Sequence, residues 1–123
     1  MNTEYRPALL AVSRRLQALG YHVVEDSSHM ALLDNGSCWR ICVEGERYSD
    51  STSLHLRYVS AGPETQDEFA VWLLMEAFEK IFKMPHVVPR LDAQLDFLYD
   101  RLSAGFPEPM VFRAEYDRLN QYP

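Results

Sequence analysis

Two cysteines stand four positions apart in the segment SCWRIC, a spacing that raises the question of a metal or redox site. The alternation of apolar and polar residues in this segment favours a β-strand. A strand rises about 3.3 Å per residue, so Cys38 and Cys42 would be ~13 Å apart, too far for a disulfide or for sharing one zinc ion. We therefore expect free thiols that pack as small hydrophobic side chains, with no metal ion and no cofactor. The same alternation places Trp39, Ile41 and Val43 on the opposite face, toward the core.

The other polar residues form no motif of a known reaction centre. The histidines lack the His-x-x-x-His spacing of zinc proteases, and no Gly-x-Ser-x-Gly elbow is present. The five glycines are too dispersed for a phosphate-binding loop, which needs several backbone amides close to the anion. We therefore predict no catalytic residues and a protein that is not an enzyme. The scattered histidines are His22, His29, His55 and His86.

Asp92, Asp96 and Asp100 recur every four residues and form an acidic ridge along one side of a predicted helix. None of the three has a Lys or Arg three or four positions away, and like charges at that spacing destabilise a helix by ~0.2 to 0.5 kcal/mol per pair. Such a ridge keeps a protein soluble, or it meets a basic partner, since complementary charge speeds association. In the second interpretation the neighbouring Tyr99 is an aromatic anchor.

Length and charge narrow the class of protein. With 123 residues, the chain is long enough for one well-buried core, and we expect residues 1–123 to form a single globular domain. The formal charge of −6 argues against binding to nucleic acid, which needs clustered Lys and Arg. No apolar stretch approaches the ~18 residues of a membrane span, and no secretory signal is recognised. We therefore expect a cytoplasmic protein that does not bind membranes.

The N-terminal half predicts one helix followed by a sheet. Apolar residues at helical spacing predict a helix over residues 7–19, with Gly20 as its stop. Four short runs rich in Val, Leu, Ile, Tyr and Trp follow: YHVVED, MALLD, SCWRICVE and SLHLRYVS. The sequence Asp34-Asn35-Gly36 is typical of a tight hairpin, since Asn and Gly tolerate positive φ angles.

The C-terminal half predicts helices. The segment Thr65-Gln66-Asp67-Glu68 has the pattern of a capping box and predicts a helix from there to about residue 83. Its apolar run, residues 69–75, predicts a central helix buried on several sides, or alternatively a surface for a dimer or partner. Further helices are expected over residues 89–104 and 109–120. The fold class is therefore α+β: a two-layer fold in which a four-stranded antiparallel meander is covered on one face by an N-terminal helix and two to three C-terminal helices.

The leading functional hypothesis is a non-enzymatic protein-binding module. In size, negative charge and lack of a catalytic signature, the chain resembles the immunity proteins of bacterial toxin systems, which implies a small acidic inhibitor of a basic toxin enzyme. The likeness includes no shared motif and assigns no residue a role. Under this hypothesis the acidic ridge occupies the positive cleft of the enzyme, and the protein itself is a monomer or a homodimer.

Two alternatives belong to other classes. A secretion or folding chaperone would dimerise through an apolar helix and hold an extended client on its sheet, so it requires an exposed sheet edge. A small-ligand-binding protein or enzyme would assemble its site from scattered residues, with His55, Arg57 and Cys42 as the candidates. That alternative requires a deep polar pocket around these three side chains.

Overall fold

Five antiparallel strands form one sheet in the computed structural model, which describes residues 5–45, 52–59 and 66–121. Their order across the sheet is their order in the chain, so the sheet is a meander. The strands are β1 (His22–Asp26), β2 (Met30–Asp34), β3 (Trp39–Gly45), β4 (Thr52–Val59) and β5 (Gln66–Ala70). The helices are α1 (Tyr5–Leu16), which continues as a 3-10 turn (Gln17–Leu19), α2 (Val71–Phe82), α3 (Leu91–Ala104) and α4 (Pro109–Asn120).

The helices pack on one face of the sheet, so the two-layer α+β prediction is confirmed. Trp39, Ile41 and Val43 are buried in the core that this packing forms, as their alternation along β3 predicted. Each helix contributes apolar side chains to the same core because its apolar residues share one side. The fully buried helical contributors include Val12, Leu16, Leu74, Phe78, Leu98 and Phe112.

The turn between β2 and β3 lies where the sequence predicted it and places Gly36 at a positive φ, but Asn35 does not adopt a positive φ, and four residues, 35–38, separate the two strands. The Asp34 carboxylate accepts a hydrogen bond from the Gly36 N–H at 3.1 Å, and the Asn35 side-chain oxygen accepts one from the Ser37 N–H at 3.0 Å. Gly36 has a φ of 85°, a backbone conformation in which a side chain would be strained. These bonds fix the register that places alternate residues of β3 on opposite faces.

The predicted helix start at residues 65–68 is wrong, and the sheet has five strands instead of four. Residues 66–70 form β5, in which Glu68 pairs with Arg57 of β4 at 3.1 Å and Phe69 lies opposite Leu56. Thr65, the first residue of the supposed capping box, lies outside the described residues. Pairing with β4 and burial of Phe69 override the local signal, as is common for strands whose stability comes from their neighbours.

The strand β5 passes directly into α2. Ala70 is the last residue of β5 and the N-cap of α2, and its N–H donates a hydrogen bond to the Tyr116 hydroxyl at 2.8 Å. The rest of the apolar run enters the core from α2, as expected for a central helix, except for Trp72, which is 47% exposed. The helix α4 therefore fixes the point where strand becomes helix.

The other helix boundaries lie close to the predictions. The helix α1 begins two residues early, and Gly20 ends the following turn with a φ of 85°. The helix α3 begins two residues late, and α4 has the predicted limits. Among the described residues, no helix is both long and apolar enough to cross a membrane.

Candidate protein-interaction site

The acidic ridge lies on the outer side of α3, which packs against α1 and α2. Asp92, Asp96 and Asp100 are all exposed, because the opposite side of the helix buries Leu95 and Leu98. The three carboxylates therefore lie along one exposed side of α3, as the four-residue spacing predicted.

One carboxylate of the ridge has a cationic partner that the sequence did not reveal. Arg15 of α1 places its Nη2 atom 2.7 Å from the Asp96 Oδ1 atom, and its guanidinium lies 5.1 Å from the centre of the Tyr99 ring. Tyr99 is half-buried and packs against the core. Tyr99 is thus part of the contact between α1 and α3, and its ring is less accessible than the expected role of an anchor requires.

Asp100 is the ridge residue most available to a partner. Among the described residues, its carboxylate has neither a hydrogen bond nor an ion pair. Asp92 lies in the first turn of the helix, where its Oδ1 atom accepts a hydrogen bond from the Ala93 N–H at 2.9 Å. An unpaired, exposed carboxylate at the middle of a protein surface attracts a cation without first having to release another.

Next to the ridge lies a groove of about 450 Å³ between α2, the segment after it and α3, here called the α2–α3 groove. Its floor and walls are mainly apolar, and Asp96 and Asp100 lie on its α3 wall. The apolar lining consists of Met75, Phe78, Met84, Pro85, Val87, Ala93, Phe97 and Ala104. The groove and the ridge therefore form one continuous surface.

Two polar side chains hold the walls of the groove. The Glu79 carboxylate accepts a hydrogen bond from the Val87 N–H at 2.8 Å and lies 2.9 Å from the His86 Nδ1 atom, which fixes the segment after α2. The Arg101 guanidinium lies over the rings of Phe78 and Phe82 at 5.1 and 5.2 Å. Glu79 and Arg101 are engaged within the protein and Asp96 pairs with Arg15, so among the described residues that line the groove Asp100 is the charged side chain without a partner.

The open face of the sheet, opposite the helices, brings together the three residues proposed for an assembled ligand or catalytic site. Cys42 and His55 are direct cross-strand neighbours, and Arg57 lies on the same face two residues further along β4. The Cys42 sulfur lies 3.7 Å from a Glu44 oxygen. Ligand atoms of Cys42, Glu44 and Glu68 lie within 4.8 Å of one another, the spacing of a potential metal-binding group.

The chemistry of this group is limited by its protonation and pairing. Burial, together with the nearby carboxylates of Glu44 and Glu68, raises the pKa of the Cys42 thiol to about 12. The thiol is therefore neutral at physiological pH, whereas a cysteine nucleophile must be a thiolate. Arg57 forms an ion pair with Glu68 at 3.1 Å, and the Ser53 hydroxyl lies 3.0 Å from the Nε2 atom of His55.

The two cysteines are free, as predicted, but they occupy different positions. Cys42 is fully buried within β3, whereas Cys38 is exposed and precedes the first residue of that strand. Cys42 therefore packs as the sequence predicted, and Cys38 lies at the end of the hairpin turn.

No protein-family model, curated protein or solved structure matches this chain.

Of the two surfaces described above, the α3 surface has the features of a binding site. On the open sheet face Arg40 pairs with Asp34 at 3.6 Å and Arg57 pairs with Glu68 at 3.1 Å, and none of these four residues lines the α2–α3 groove. The α3 surface combines an apolar groove with an unpaired carboxylate, the combination of apolar centre and polar rim that protein interfaces use.

Proposed function

We propose that this chain is a non-enzymatic protein-binding module that binds a basic protein through the acidic ridge and the adjoining groove. The observation that carries the proposal is the exposed, unpaired Asp100 beside a preformed apolar groove. Within this class, the proposed activity is that of a small cytoplasmic inhibitor, such as an immunity protein that neutralises a basic toxin enzyme. The ridge then covers the positively charged cleft in which the enzyme binds its substrate.

Charge and shape have separate roles in this proposal. The overall charge of −6 and the ridge attract a basic partner before contact, which raises the association rate. The apolar groove then contributes the short-range burial that slows dissociation, since a few buried anchors carry most of the affinity of an interface. An inhibitor must meet its enzyme quickly and release it slowly, and this surface offers both properties.

A second function, a dimeric secretion or folding chaperone, is favoured by the exposed edge strand β1. All five residues of β1 are exposed, including the apolar Val23 and Val24, and an extended client can pair with such an edge. The strand also contains a bulge and the acidic pair Glu25 and Asp26, features that protect edges from unwanted pairing. The α3 surface is therefore the stronger candidate.

The proposal is tested by affinity capture from the native cell with tagged protein, at low and high salt, followed by mass spectrometry. The parent, Asp100→Lys and Asp117→Lys are compared, because Asp117 is an exposed aspartate on α4 and receives the same change of charge. We expect one stoichiometric basic protein that the parent and Asp117→Lys capture and Asp100→Lys loses. Equal capture by all three proteins, or no stoichiometric partner, would contradict the proposal.

A further inference from the structure

The α2–α3 groove has the size and lining of a pocket for a single large apolar group. Its volume of about 450 Å³ lies within the roughly 300–1,000 Å³ of small-ligand pockets. Met75 and Met84 are flexible, polarisable side chains that adapt to different occupants. At its lip, Met84 and Val87 are 42% and 48% exposed and extend the apolar surface toward solvent.

The wall formed by the segment after α2 is held in place without an occupant. Glu79 accepts from the Val87 N–H and lies beside His86, and the Met84 N–H donates to the Glu79 backbone carbonyl at 3.0 Å. Arg101 reaches from α3 to this segment, with its Nη2 atom 3.0 Å from the Met84 sulfur. A preformed pocket spares a ligand the cost of ordering it.

The charges of the groove select the occupant. Four charged residues line it: Glu79, Asp96, Asp100 and Arg101. Asp96 is already paired with Arg15, so among the residues that the structure describes Asp100 is the unpaired carboxylate on the α3 wall, and it disfavours an anionic group beside it. A purely apolar occupant removes water from Asp100 without replacing its hydrogen bonds, which is unfavourable. A group that is apolar at its tip and cationic beside it fills the groove and pairs with Asp100.

We infer that the α2–α3 groove binds one large apolar side chain of a partner segment that carries arginine or lysine directly beside that anchor. This inference rests on the proposed function and specifies the chemistry of the partner. The arginine or lysine pairs with Asp100, while Asp96 keeps its contact with Arg15. Complementary charge thus identifies the correct segment, and burial of the anchor retains it.

The test uses labelled peptides and fluorescence anisotropy. The first peptide, Gly-Arg-Arg-Leu-Trp-Arg-Arg-Gly, carries the anchor; the second replaces Leu-Trp with Ala-Ala; the third replaces every Arg with Glu. Ala104→Phe fills the groove from its exposed end, and Ala114→Phe makes the same change at an exposed position of α4. Thermal melting establishes that both variants fold as the parent does.

We expect the parent and Ala114→Phe to bind the first peptide about tenfold more tightly than the second, and Ala104→Phe to lose this preference. The amide signals of Ala93, Phe97 and Ala104 in nuclear magnetic resonance spectra should shift with the first peptide. Equal, salt-sensitive binding of the first two peptides would overturn the inference and leave the proposed function standing. Equal binding of the first and third would also overturn it. If neither arginine peptide binds at low salt, the inference fails, and the affinity capture described above decides the proposed function.

Discussion

Arg15 and Asp96 form an ion pair of 2.7 Å between α1 and α3, although 81 positions separate them in the chain. Both side chains are substantially exposed, at 43% and 60%. The pair gives two aspartates of the acidic ridge different roles. Asp96 stabilises the contact between α1 and α3, whereas Asp100 is available to a partner. The two aspartates should therefore respond differently to the same substitution.

Removing the pair should have a small effect on stability. Exposed ion pairs contribute ~0.2 to 1 kcal/mol, because water and salt screen them. A double-mutant cycle with Arg15→Ala and Asp96→Ala, measured by urea unfolding, should give a coupling energy in that range, reduced at high salt. A coupling energy near zero at low salt would show that the pair contributes nothing to stability.

Reversing the charge of Asp100 should change the rate of association with the partner and leave the stability of the fold unchanged. We expect Asp100→Lys to slow association with the captured basic partner by roughly two- to tenfold at low salt, with a smaller effect at high salt. Stopped-flow mixing gives the rate, and Asp117→Lys is the matched control. An unchanged association rate for Asp100→Lys would remove the acidic ridge from the binding surface.

The bond between Ala70 and Tyr116 should be important for the junction of β5 and α2. Tyr116→Phe leaves the ring in the core but removes the hydroxyl that accepts the Ala70 N–H. The Ala70 N–H is partly buried, and we expect its loss of a partner to lower the free energy of unfolding by about 1 kcal/mol, the lower end of the cost for an unsatisfied donor. Urea unfolding measures it, and Tyr99→Phe is the control. Equal stability of Tyr116→Phe and the parent would mean that water satisfies the N–H.

The two thiols should react at very different rates. Cys38 is exposed, whereas Cys42 is buried and neutral at physiological pH because burial raises its pKa to about 12. Iodoacetamide reacts with the thiolate, so mass spectrometry should find one modified cysteine in the native protein and two after unfolding. Rapid modification of Cys42 in the native protein would contradict its burial. The same native sample should contain no stoichiometric zinc.

Stability should fall at alkaline pH. The Cys42 thiol ionises near its ordinary pKa of 9.0 when unfolded and near about 12 when folded, so ionisation favours the unfolded chain in that interval. Its contribution is complete below pH 9 and is lost as the pH rises toward 12. Tyr5 acts in the same direction from its ordinary pKa of 10.0, because burial and Asp26 raise it to about 12.

Urea unfolding at pH 8, 9 and 10 measures this loss. We expect Cys42→Ala to show a smaller decline between pH 9 and 10 than the parent, and Cys38→Ala to decline as the parent does. An identical decline in Cys42→Ala and the parent would exclude Cys42 as a source of the pH dependence.

Local patterns in the sequence were sufficient to predict most of the fold. The start of α4 follows from Pro109 at its first position. The turn at Gly36 follows from the backbone there, which has a positive φ that glycine adopts without strain. The strand β5 was missed because Gln66, Asp67 and Glu68 have low strand propensity. The ion pairs of Asp67 with Arg113 and of Glu68 with Arg57 stabilise this strand, and each joins residues distant in sequence.

The candidate site was predictable in part. The spacing of Asp92, Asp96 and Asp100 is a local property of one helix, and the ridge could be predicted from it. The groove depends on how Ala93 and Phe97 of α3 face Met75 and Phe78 of α2, and the sequence contains no signal for that distance. The contact of Arg15 with Asp96 likewise depends on tertiary packing.

The meander order of the sheet has a consequence for synthesis on the ribosome. Because each strand pairs only with its neighbours in the chain, β1 to β4 can assemble hairpin by hairpin as they emerge, without long-range loop closure. The apolar face that contains Leu33, Ile41 and Leu56 remains uncovered until α2, α3 and α4, which are synthesised last, pack against it. During that interval only α1 is available to shield it, so the nascent chain is most prone to aggregation after its sheet has formed.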